Sequence, residues 1–99
     1  MYQLIFHSEA DKDFSEATHW YETQKVNLGK RFILSVEAVI TKIQHNPTVF
    51  GYIKRPFREA SVPMFPYTIV YKINKKKNTV WIIAIYHTSR NPKRKYRKT

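Results

Sequence analysis

Seven consecutive residues, Val80-Trp81-Ile82-Ile83-Ala84-Ile85-Tyr86, offer no polar face at all. The run is far short of the roughly 20 residues that a membrane-spanning helix needs, so it reads as a central β-strand covered on both sides. It also defines its neighbour. Pro66 to Ile73 alternates, with Tyr67, Ile69, Tyr71 and Ile73 on one face, and the polar Asn74-Lys75-Lys76-Lys77-Asn78 between the two runs makes a turn. The pair is therefore predicted to be a β-hairpin, and a sheet with such a centre needs another layer packed on it.

The first half of the chain supplies that layer. Tyr2 to His7, with Leu4, Ile5 and Phe6, is short enough for an opening strand. Ser8-Glu9-Ala10-Asp11 then resembles a helix start, with the Ser8 hydroxyl as cap and acids at the positive end of the helix dipole. Ala10, Phe14, Ala17 and Tyr21 recur at helical spacing, and the helix is predicted to run to about Gln24. After a break at Val26-Asn27-Leu28-Gly29, residues Leu28, Phe32, Val36, Val39 and Ile43 mark the apolar face of a second helix, stopped by Asn46-Pro47. Gly51 to Val62 reads as one polar strand interrupted by Pro56. The predicted fold is α+β: an N-terminal strand and a helical hairpin packed on a mainly antiparallel sheet, in the order β-α-α-β-β-β. One domain over residues 1–99 is expected, with a basic C-terminal tail at 90–99.

Composition removes several chemistries. The chain has no cysteine, so disulfides, thiolate metal sites and thiol nucleophiles are excluded. Its two glycines, Gly29 and Gly51, cannot build a P-loop or a dinucleotide fingerprint. His7, His19, His45 and His87 show no metal-ligand spacing, and no serine sits in a nucleophile elbow. Neither a metal nor a cofactor is expected. No basic stretch precedes the short apolar N-terminal segment, which predicts no secretory signal and a cytoplasmic location without membrane contact.

The charge is segregated. Residues 1–53 carry five basic residues against six acids, net −1, whereas residues 54–99 carry thirteen against Glu59 alone, net +12, out of a total of +11. Such a field attracts phosphates or an acidic partner, although a solvated surface that only keeps the chain soluble would look the same. At the end of the last strand stand His87 and Arg90, followed by Lys93, Arg94, Lys95, Tyr96, Arg97 and Lys98. Imidazole, hydroxyl and guanidinium groups together suit RNA binding and phosphoryl transfer, in which a 2′-hydroxyl loses a proton and the phosphorane gains charge. The plainer alternative is that His87 hydrogen-bonds at a strand end and the tail is a solubilising extension.

A series of short motifs runs through the chain in order. They are Ala10-Asp11, Trp20-Tyr21-Glu22, Leu28-Gly29-Lys30-Arg31-Phe32, Asn46-Pro47, Arg58, Phe65-Pro66-Tyr67 with Ile69-Val70-Tyr71, and His87-Thr88-Ser89-Arg90-Asn91-Pro92. Together they resemble the RelE/ParE superfamily of toxins from bacterial type II toxin-antitoxin systems. The resemblance implies the small α+β fold above and a cognate acidic antitoxin that covers the basic face. It also implies one of two targets. RelE-like members are ribosome-dependent endoribonucleases that cut mRNA, and ParE-like members inhibit DNA gyrase without nuclease activity.

The nuclease is the favoured expectation, metal-independent, because Arg90 and Tyr96 keep a RelE-like spacing and the positive charge is concentrated beyond Ile53. In that reading Arg58 and Arg90 stabilise charge on the scissile phosphate and His87 or Tyr96 handles a proton. Lys54, Arg55, Lys93, Arg94, Lys95, Arg97 and Lys98 hold RNA. Thr68 departs from the RelE-like pattern, which has a basic residue after the tyrosine of that strand. A gyrase inhibitor is the alternative, and an inactive or merely nucleic-acid-binding relative is a third.

Overall fold

The structure, a computed structural model, describes residues 1–89. Its elements are β1 (Gln3–Phe6), α1 (Ser8–Gln24), α2 (Leu28–His45), β2 (Tyr52–Lys54), β3 (Phe57–Ser61), β4 (Tyr67–Asn74) and β5 (Thr79–His87). The five strands form one sheet in the order β1-β5-β4-β3-β2. β1 runs parallel to β5, and the other neighbours are antiparallel. The helical hairpin on a mainly antiparallel sheet is thus as predicted.

Two local expectations are corrected. The single strand expected over Gly51 to Val62 is a hairpin, β2 and β3, because Arg55-Pro56 turns the chain back, with Tyr52 opposite Arg58. Proline has no N–H to give to a ladder, so the strand breaks there. The cap of α1 is His7 rather than Ser8: His7 holds an extended backbone, and its Nδ1 accepts the Glu9 N–H at 3.1 Å. Glu9 and Asp11 do lie in the first turn, as expected.

The helices bury the faces that their spacing foretold. Ala10, Ala17 and Tyr21 of α1 and Phe32, Val36, Val39 and Ile43 of α2 are buried against Tyr67, Ile69, Tyr71, Val80, Ile82 and Ile85, with Phe14 and Leu28 half-buried beside them. Phe32 is the hub, with ring centroids 5.1 Å from Tyr21, 5.1 Å from Phe65 and 5.0 Å from Tyr67. Tilted and edge-on ring pairs at these distances add roughly 0.5–1.5 kcal/mol each beyond burial. This packing accounts for the Phe65-Pro66-Tyr67 motif.

Asn27, at φ 71°, precedes α2 and offers no side-chain cap. Glu22 supplies one from the other helix: Oε2 accepts the Asn27 N–H and Oε1 the Gly29 N–H, both at 3.0 Å. The positive end of the α2 dipole therefore meets a carboxylate.

A bulge at Val70/Tyr71 shifts the register by one residue, since Val70 faces Ala84 and Tyr71 faces Ile82, so Ile83 is the extra residue of β5. The alternation of β5 resets there. Ile82 and Ile85 enter the helix-side core, whereas Ile83 and Ala84 join Val70, Phe57, Trp81 and Tyr86 in a second cluster. Two clusters explain why β5 is apolar throughout.

Candidate functional site

Two groups of predicted site residues fall among the described residues, separated along the sheet. The first is the β2–β3 hairpin. Arg58 lies in register with Tyr71 and its Nη1 donates to the Phe50 carbonyl at 2.7 Å. The Arg58 guanidinium stacks on the Tyr52 ring at 3.9 Å, and Arg55 approaches the same ring at 4.6 Å. Arg58 Nε is buried without a partner among the described residues. Lys54, Arg55 and Tyr52 are exposed.

Behind this hairpin, the Tyr71 hydroxyl donates to the Pro47 carbonyl at 2.6 Å. Burial raises the Tyr71 pKa to about 12, a rise that the nearby Arg58 charge only partly offsets. That phenol stays protonated and ties the α2–β2 loop to the sheet.

The second group is at His87, in register with Tyr67 and edge-on to its ring at 5.3 Å. His87 Nδ1 accepts the Ser89 N–H at 3.1 Å and lies 2.7 Å from Ser89 Oγ. An Nδ1 engaged as acceptor places the proton of the neutral ring on Nε2. His87 opens into a groove of about 1090 Å³ lined also by Asp13, Glu16, Trp20, Tyr67 and Ser89. The groove wall is acidic: Glu9, Asp13 and Glu16 line it against Lys12 alone, net −2. Asp13 has a structural task there, since it accepts the Ile85 N–H at 3.2 Å beyond the point where β1 stops pairing with β5.

The hairpin and His87 do not converge. Tyr67 and Tyr71, their register partners, are four residues apart on β4, about 13 Å at the usual strand rise. Arg90, Lys93, Arg94, Lys95, Tyr96, Arg97 and Lys98 lie outside the described residues. Thr68 is buried, in register with Ser61 on one side and Tyr86 on the other. Next to it Tyr86 donates to Glu59 Oε2 at 3.0 Å, so a carboxylate occupies the sheet face opposite the helices.

Sequence reasoning passed over Tyr52, whose ring collects two guanidinium groups. The available signal was an aromatic residue three positions before Arg55 and six before Arg58, obscured by reading the segment as one straight strand.

A sequence model of the family described as the ParE toxin of type II toxin-antitoxin system, parDE, matches residues 4–92. Among solved structures, the isolated E. coli RelE toxin superposes with TM-score 0.68 at 15% identity, over 93% of this chain and 89% of that one. The intact E. coli RelBE toxin-antitoxin complex matches with TM-score 0.68 at 15% identity, over 91% and 100% of the respective chains. The chromosomal ParDE toxin-antitoxin system from P. aeruginosa matches with TM-score 0.63 at 12% identity, over 90% and 98%. At such identities the likeness is one of fold. No match was found among curated protein sequences.

Proposed function

This chain belongs to the ParE toxin family, within the RelE/ParE superfamily of type II toxin-antitoxin toxins, and from that premise we propose that it inhibits DNA gyrase by binding it, without cutting RNA. One observation carries the choice of target: the placement of Arg58 and His87. Arg58 is spent on the Phe50 carbonyl and the Tyr52 ring. His87 stands about 13 Å further along β4, its Nδ1 engaged by Ser89, beside an acidic helix that repels phosphate. A general base and a charge-stabilising arginine must reach the same phosphate, and these two do not. The match to the ParE family supports the same reading.

The neutralising partner is a cognate antitoxin, as in the RelBE and ParDE assemblies whose folds this chain resembles. The toxin works in the cytoplasm, where gyrase is. No helix among the described residues is long and apolar enough to cross a membrane.

A second reading, the metal-independent, ribosome-dependent mRNA endonuclease, draws on the net +12 of residues 54–99 and on the spacing of Arg90 and Tyr96. In it Arg58 and Arg90 would carry phosphate charge and His87 or Tyr96 a proton. Two assays separate the readings. Purified toxin is expected to block gyrase supercoiling of relaxed plasmid, and primer extension after induction is expected to show intact mRNA. Cuts within translated codons, with supercoiling unaffected, would establish the nuclease instead.

A further inference from the structure

Three histidines bond the backbone through Nδ1, and the backbone group decides what each ring must be. His45 Nδ1 lies 2.9 Å from the Thr41 carbonyl, so this ring donates, and it does so whether neutral or charged. His7 Nδ1 lies 3.1 Å from the Glu9 nitrogen, and His87 Nδ1 3.1 Å from the Ser89 nitrogen. A backbone N–H only donates, so both of these ring nitrogens must carry no proton. Protonation turns each acceptor into a second donor and breaks the bond.

The two sites form one device. His7 directly follows β1, and His87 ends β5, the strand beside it. Each ring caps the N–H two residues further on, as an Asn side chain does in an Asx turn. His7 thereby begins α1, and His87, whose Nδ1 also lies 2.7 Å from Ser89 Oγ, fixes the turn after β5. Both caps border the same groove, because Glu9, the residue that His7 caps, lines it together with His87 and Ser89. Facing His87 there are Glu9, Lys12, Asp13, Glu16 and His19 from α1 and the Tyr67 ring from β4. The first turn of α1 sets Glu9 and Asp11 beside His7, and Ile82 of β5, which accepts the His7 N–H, is uncharged. A protonated ring thus loses its backbone donor and finds carboxylates nearby, so it turns from the cap to the acidic wall without unfolding the chain. At His7 the charge also meets the positive end of the α1 dipole, which drives it off the cap.

We propose that His7 and His87 act as paired proton-sensitive caps. Neutral rings fasten the start of α1 and the end of β5. As pH falls from about 8 to 5, the range in which imidazoles gain charge, both caps release, and the first turn of α1 loosens together with the 87–89 turn. The device acts on the groove whatever the target of the toxin.

NMR of the full chain tests this. At about pH 8 the neutral rings of His7 and His87 are expected to carry their proton on Nε2. On lowering the pH to about 5, solvent exchange of the Glu9 and Ser89 amides, corrected for its intrinsic pH dependence, is expected to speed about fivefold, the loss of one cap each. The change should keep step with titration of the two rings. The double variant His7→Asn, His87→Asn keeps acceptors that do not titrate, and is expected to hold both amides protected throughout, while His45→Asn behaves as the parent. Rings that titrate while both amides stay protected would overturn the proposal, and so would a proton on Nδ1 of either neutral ring; the unaltered chain decides both. Equal pH dependence in the double variant and the parent would assign the loosening to the groove carboxylates and overturn it as well.

Discussion

Replacing Gly29 by alanine isolates the contact that sets the spacing of the helical hairpin. A Cβ at Gly29 would sit 2.8 Å from the Thr18 carbonyl oxygen, 3.0 Å from Glu22 Oε1 and 3.1 Å from Glu22 Cβ. The first is backbone in the middle of α1 and cannot swing aside, so α1 and α2 must separate. Overpacking of this kind costs roughly 1–3 kcal/mol. The same movement stretches the Gly29 N–H bond to Glu22, worth about 1 kcal/mol when made. Alanine returns at most about 1 kcal/mol in helix propensity. The net expectation is a loss of roughly 1–3 kcal/mol, or about 5–20 °C in melting temperature for a domain of this size.

Gly51→Ala is the internal control, because nothing lies within 4 Å of where its Cβ would sit and its φ is not in the left-handed region. It should leave stability unchanged or raise it by up to about 1 kcal/mol. Thermal unfolding followed by circular dichroism reads both. A Gly29→Ala protein that melts within about 2 °C of the parent, or above it, would refute the close-approach explanation for the Leu28-Gly29-Lys30-Arg31-Phe32 motif.

Glu22→Ala removes both acceptors at the start of α2 and should cost roughly 1–2 kcal/mol by urea unfolding. Glu22→Gln, which keeps an oxygen but not the charge, should cost less. Tyr71 is protonated in the fold up to about pH 12 but only to about 10 once unfolded. Its contribution is thus complete below pH 10 and is lost as pH rises through 10 to 12. Tyr71→Phe should flatten that part of an alkaline stability curve by roughly 2–3 kcal/mol, while lowering stability near neutrality by about 1–3 kcal/mol because the Pro47 carbonyl is left without its donor. Arg58→Lys keeps the charge but loses the planar stack on Tyr52, so stability should fall by roughly 1–2 kcal/mol. At a permissive temperature gyrase inhibition should persist. Loss of inhibition in a fully folded Arg58→Lys protein would return Arg58 to a direct role at the target.

The amino-acid order by itself determined every element except the β2–β3 hairpin, and the inward faces of the helices and of β4, because those depend on local periodicity. Spacings of three and four put Phe32, Val36, Val39 and Ile43 on one side of α2, and strict alternation put Tyr67, Ile69 and Tyr71 on one side of β4. Asn46-Pro47 ended α2 through the backbone restriction of proline. Charge segregation was equally plain, down to the net +12 beyond Ile53. Tertiary structure decided everything that required knowing which side chains meet. Glu22 and Gly29 are seven residues apart in the chain and become a cap and its helix only when the hairpin closes. Arg58 and His87 both belong to the basic half, yet the register of β3, β4 and β5 sets their partners Tyr71 and Tyr67 four residues apart on β4. The Arg55–Tyr52–Arg58 stack exists because Pro56 folds one expected strand into two. Periodicity reports how each segment faces a core, whereas distances between segments depend on strand order and register, which no single segment encodes.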